Sequence, residues 1–235
     1  MKPILEEEVE GLGTVYRTEV PFGKSLESLR KFGIENPISS RDLAYARIQK
    51  PISSLEWGSY TREGFLYRKN EPVLLALDSP LLNIKLARQA VKSNRNGDYF
   101  STNKEIYEEY RNRSEEDKNK NPEERTVLIL PKRENYEIPT SQLNEDELTR
   151  FLFKDQAESY RDFLQTKKIN EIPVWLCDKI YIDNQEGSIL TQLWLRSFDY
   201  ESGLIGDDWD LSCDIRVHGV LEKIGEYTIS QIKKL

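Results

Sequence analysis

Apolar positions recur along this chain in two rhythms, one near every second residue and one near every third or fourth. "TVYRTEV" (14–20) alternates and predicts a short strand. After the turn "PFG", the segment "KSLESLRKFGI" puts Leu26, Leu29 and Phe32 on one face. That spacing predicts a helix capped by Ser25 and ended by Gly33. A second helix is expected from Ser40 to Gln49, between Pro37 and Pro51. "GFLYRK" (64–69) reads as a half-buried strand, and "PVLLALD" (72–78) as a strand covered on both faces. "SPLLNIKLARQAVKS" then opens a helix, with Ser79 as cap and Pro80 in its first turn.

From Arg111 to Arg125 no apolar residue occurs, which predicts a charged, flexible linker or loop over residues 112–125. "TVLILP" (126–131) is another apolar strand. "LNEDELTRFLFKDQAESYRDFLQTKK" reads as one long helix with Asn144 and Glu147 as its capping box. The last third changes character. "IPVWLCDKIYID", "SILTQLWLRSF" and "LSCDIRVHGVLEKI" are strand-like, the first two joined by "NQEG" as a tight hairpin. "EYTISQIKKL" adds a final strand or short helix. The expected class is α+β: an α/β-like first two thirds, followed by an antiparallel β meander. Residues 1–111 form a mixed α/β region with a basic helix, and 126–235 hold strand, long helix and meander. The two regions are read as separable or as one continuous domain.

Composition sharpens this picture in three ways. The 12 Tyr, 8 Phe and 4 Trp among 235 residues mark a folded chain despite 32% charged residues. No apolar run reaches the roughly 20 residues a membrane span needs, and the acidic start "MKPILEEEVEG" lacks a secretory signal. With only Cys177 and Cys213, reduced buried thiols and a cytoplasmic location are expected, with no membrane contact. Finally, the net charge of −7 is uneven: residues 17–113 balance to +5 and residues 114–235 to −9. The first half is therefore the half suited to an anionic partner.

The tempting chemical motifs fail on their own physics. "FGKS" (22–25) resembles the end of a phosphate-binding loop. The glycine that would let the backbone wrap a phosphate is Thr18, however, and Pro21 lacks a donor. Asp78 ends an apolar strand, where a metal or base could sit, yet Asp-Ser at that junction also suits capping. The acids Asp199, Glu201, Asp207, Asp208, Asp210 and Asp214 lack calcium-loop spacing. His218, the single histidine, has no nucleophile elbow to serve. One His and two Cys cannot furnish a standard four-ligand zinc site without carboxylates, so neither metal nor cofactor is expected.

What remains is a basic, aromatic surface. Lys85, Arg88 and Lys92 share one helix face and Arg95 follows. Upstream, Trp57 and Tyr60 are interleaved with Arg62 and Arg68. Cations track phosphates and rings stack on exposed bases. The leading expectation is a non-enzymatic binding protein, a nucleic-acid-contacting subunit of a larger assembly. Its first half would meet nucleic acid or another polyanion, and its acidic last third solvent or a protein partner. The alternative is a metal-dependent enzyme on phosphate esters that uses Asp78.

Overall fold

The computed structural model describes residues 2–50, 55, 58–196, 203–207 and 211–221. In chain order its elements are β1 (Ile4–Val9), β2 (Gly13–Val20), α1 (Phe22–Lys31), α2 (Ser40–Gln49), β3 (Ser59–Tyr67) and β4 (Leu74–Ala76). Then come α3 (Ile84–Arg95), β5 (Ser101–Thr102), α4 (Lys104–Asp117), β6 (Val127–Ile129) and β7 (Tyr136–Pro139). The last are α5 (Glu147–Phe153), α6 (Ala157–Thr166), β8 (Glu171–Trp175), α7 (Lys179–Asp183), β9 (Ser188–Leu195), β10 (Leu204–Ile205) and β11 (Ile215–Leu221). The expected C-terminal element "EYTISQIKKL" and most of the acidic loop lie outside the described residues.

The caps show where local sequence held and where it gave way. Gly33 does end α1, with φ of 89°. Ser25 does not cap it: Pro21 stands at that position, and the buried Ser25 Oγ donates to the Val20 carbonyl at 2.9 Å. Ser39 caps α2 by accepting from the Asp42 amide at 3.0 Å. Ser79 caps only a short 3-10 turn, Pro80–Leu82, after which Asn83 restarts the chain as the cap of α3. The expected single long helix over residues 143–168 is two. Asp146, not Asn144, caps α5, and the backbone breaks at Lys154, whose φ is 52°. Lysine at positive φ leaves no trace in an apolar pattern, so periodicity alone runs the two helices together.

The expected charged linker needs correction. α4 continues to Asp117, well inside residues 112–125. Polar groups anchor this stretch. Asp117 is buried, and its carboxylate accepts from the Thr126 amide (2.6 Å), Thr126 Oγ1 (2.8 Å), the Val127 amide (3.2 Å) and Lys120 Nζ (2.7 Å). Burial alone would push its pKa up. The bonds from Lys120 and Thr126 outweigh burial and hold it well below the usual carboxylate range.

All strands among the described residues join one sheet, in the order β1-β2-β11-β3-β9-β10-β8-β7, with β4 and β6 continuing from β3 and β5 from β9. The class is α+β, but β8, β9 and β11 do not neighbour one another as a meander would have them: β10 separates β8 from β9, and β3 separates β9 from β11. β11 lies antiparallel to β2 and parallel to β3, which joins the two ends of the described chain. β9 pairs with β3, β5 and β10. No "NQEG" hairpin forms, because the second half of "IPVWLCDKIYID" is helical and β8 pairs with β7 and β10 instead.

Helices cover both faces. On one, Leu75, Leu77, Leu128 and Leu130 pack with α2, α5 and α6. On the other, Leu74, Ala76 and Val127 pack with α1, α3 and α4. The runs at 72–78 and 126–131 are thus continuous in apolar residues because alternate side chains enter two different cores. β3 bulges between Tyr60 and Gly64. Its Glu63 turns inward there and takes the Ser40 amide (3.1 Å) and Ser40 Oγ (3.0 Å) at the start of α2. Burial raises the Glu63 pKa. Among the described residues no helix is long and apolar enough to cross a membrane. Both cysteines are free thiols, Cys177 buried and Cys213 exposed rather than buried as expected.

Candidate polyanion-binding groove

α3 divides its residues cleanly. The Asn83 side chain accepts from the Lys85 and Leu86 amides, which fixes the helix start. Ala87, Ala90, Val91 and Asn94 then face inward. Lys85, Arg88, Lys92 and Arg95 are all exposed. Lys92 and Arg95 occupy the last turn, where the helix dipole favours cations.

α1 crosses close to α3 at Gly23. A Cβ at Gly23 would lie 3.4 Å from both Cγ and the backbone nitrogen of Arg88. This approach shapes a groove of about 250 Å3, lined by Pro21, Gly23, Lys24, Glu27, Arg88, Val91, Lys92 and Arg95. The amino end of α1 adds no acid and has no side-chain cap, and its Phe22 amide donates to the Leu211 carbonyl. Glu27 is the one carboxylate of the lining. Arg88 Nε and Nη2 each lie 2.7 Å from Glu27 Oε1. The hydrogen bond from Arg88 lowers the Glu27 pKa, and Glu27 raises that of Arg88. Lys24, Lys85, Lys92 and Arg95 make no ion pair among the described residues.

The other expected site residues lie elsewhere. Tyr60 is a core residue at 0% exposure. Its ring packs edge-on between Phe22 (5.7 Å) and Trp194 (4.8 Å), so it offers no face to a base. β3 is buried along nearly its whole length, and aromatic residues interleaved with arginines there mark a core strand. Arg62 stands 3.8 Å from the Asp78 carboxylate and borders a different cavity with Asp42 and Val220. Arg68 pairs with Glu108 and lies 5.9 Å from the Tyr107 ring centroid, at a third cleft with Lys132 and Arg133. Trp57 lies outside the described residues. The structure therefore gathers Arg88, Lys92 and Arg95 in the groove and places Tyr60, Arg62 and Arg68 elsewhere.

Lys24 and Glu27 were missing from the sequence-derived set. Lys24 sits in the "FGKS" turn, where its neighbourhood was visible, but its apposition to α3 was not. Asp78, the residue of the enzymatic alternative, is 58% exposed with Arg62 beside it. Among the described residues no group of three His, Cys, Asp or Glu side chains could hold a metal.

No family model matches the chain, and no curated protein matches it. A solved structure described as "Accommodation of massive sequence variation in Nanoarchaeota by the C-type lectin fold" is similar over 92% of this chain and 100% of that one. Its TM-score is 0.60 and its identity 17%. At that identity the likeness speaks for architecture alone: the chain is built on a C-type lectin fold.

Proposed function

We propose that this is a non-enzymatic binding protein that holds a polyanion, nucleic acid first among them, against α3 and the start of α1. The observation that carries the reading is the groove itself. Lys24, Lys92 and Arg95 line it without an ion pair among the described residues, and Arg88 stands beside them. With Tyr60 in the core, that ring is not available to stack on a base, and phosphate contacts that ignore sequence carry the reading. The solved neighbour's fold is described as accommodating massive sequence variation. A frame of that kind suits binding, where the surface changes and the scaffold stays. The acidic last third faces solvent or a protein partner. The location in this reading is the cytoplasm, where Cys177 and Cys213 remain thiols.

The test is a salt titration of binding to a short oligonucleotide, comparing wild type with a Lys24→Ala, Lys92→Ala, Arg95→Ala variant. The expected slope of log affinity on log salt is shallower in the variant by about one unit for each lost phosphate contact. The net charge of −7 opposes binding, so the local patch must prevail over the field of the whole molecule. Absence of wild-type binding at roughly 50 mM salt, where such contacts are strong, contradicts the reading.

A further inference from the structure

Within the polyanion reading, on which this step rests, we infer that Glu27 is an internal competitor for the ligand's phosphate, held in the groove by Arg88. Four cations, Lys24, Arg88, Lys92 and Arg95, share the lining with this single carboxylate. Arg88 is 66% exposed, so the fork that grips Glu27 can also be reached from solvent. Both of its short contacts go to the same carboxylate oxygen, Oε1, at 2.7 Å. A guanidinium recognises carboxylate and phosphate by the same fork of N–H donors. A phosphate entering beside Lys92 and Arg95 therefore meets an arginine already engaged by a like-charged group. Two consequences follow. Arg88 contributes less to binding than its position suggests, and Glu27 repels the ligand it borders. The groove then discriminates by charge density: a phosphate monoester carrying two negative charges displaces Glu27 more readily than a carboxylate, a sulfate monoester or a single backbone phosphodiester with one.

The variant that tests this is Glu27→Gln, which keeps the side-chain length and an oxygen acceptor for Arg88 while removing the charge. Oligonucleotide affinity at low salt is expected to rise about fivefold. The salt slope is expected to steepen by about one unit, as Arg88 joins the phosphate contacts. Inorganic phosphate, followed by its own direct binding, should bind the variant more tightly than wild type. Arg88→Gln serves as the second variant. It should weaken wild-type binding only slightly and should cancel the gain when combined with Glu27→Gln. Thermal melts of both variants establish that they fold. If wild type binds the oligonucleotide and Glu27→Gln leaves affinity and slope unchanged, or weakens binding, Glu27 is only a strut between α1 and α3. The inference then fails while the polyanion reading stands. If wild type does not bind at low salt, both fail.

Discussion

Lowering the pH from 6.5 to about 3 removes up to about 5 kcal/mol of folding stability through one residue, His218. His218 sits in the middle of β11, opposite Arg17 on β2, at 0% exposure. Neither ring nitrogen has a hydrogen-bond partner among the described residues. Burial lowers its pKa from the ordinary 6.5 to about 3, helped by the positive charges of Arg47, Arg17 and Arg216. The folded chain therefore refuses a proton that the unfolded chain accepts. The contribution is fully present above about 6.5 and is lost as pH falls towards about 3. Glu63 works in the opposite direction. Its raised pKa means that acidification favours the folded state at that site, so it does not mimic the effect. Denaturant unfolding from pH 7 to 4 checks this, with His218→Leu as control. The variant should match or exceed wild-type stability at pH 7, since two buried unpartnered nitrogens are removed. Its acid limb should be flatter. Parallel acid limbs in the two proteins would assign the loss to other groups.

Replacing Arg47 by Met should cost about 3–5 kcal/mol, close to what breaking a buried charged network costs elsewhere. Arg47 lies on α2 at 0% exposure. Its Nε donates to the Leu55 carbonyl (2.9 Å) and Nη1 to the Tyr160 hydroxyl (2.9 Å). Nη2 donates to the carbonyls of Leu195 (3.4 Å), the last residue of β9, and Arg196 (3.1 Å), the next. One side chain thus ties α2, α6 and the β9 exit. Methionine fills similar space and leaves each of those acceptors without this donor in a dry interior. Urea unfolding midpoints measure the effect. A loss under about 1 kcal/mol would mean that the acceptors find other partners.

How much of this was legible in the sequence depended on range. Val73–Leu77 declared itself as a doubly covered strand and Val127–Leu130 as an apolar strand, because continuous apolar residues have only a buried place to go. The basic face of α3 was equally plain from the spacing of Lys85, Arg88 and Lys92. Asp117 was invisible as an anchor, since a lone acid in a charged run looks solvated until its acceptor bonds are seen. The placement of β11 between β2 and β3 had no local signal at all, for strand pairing across the whole chain is decided by packing. Tyr60 misled for a related reason: alternation reports a half-exposed strand, and β3 is covered on both sides. The groove depended on Gly23 meeting α3, a contact between segments some 65 residues apart.

The most direct test of the central claim is to map backbone amide shifts while a short oligonucleotide is added at low salt. The account predicts that perturbations concentrate at Gly23, Lys24 and the Arg88–Arg95 segment, and that added salt reverses them together. Saturable shifts centred instead on the cleft at Arg68, Lys132 and Arg133, or no shifts at all, would contradict it.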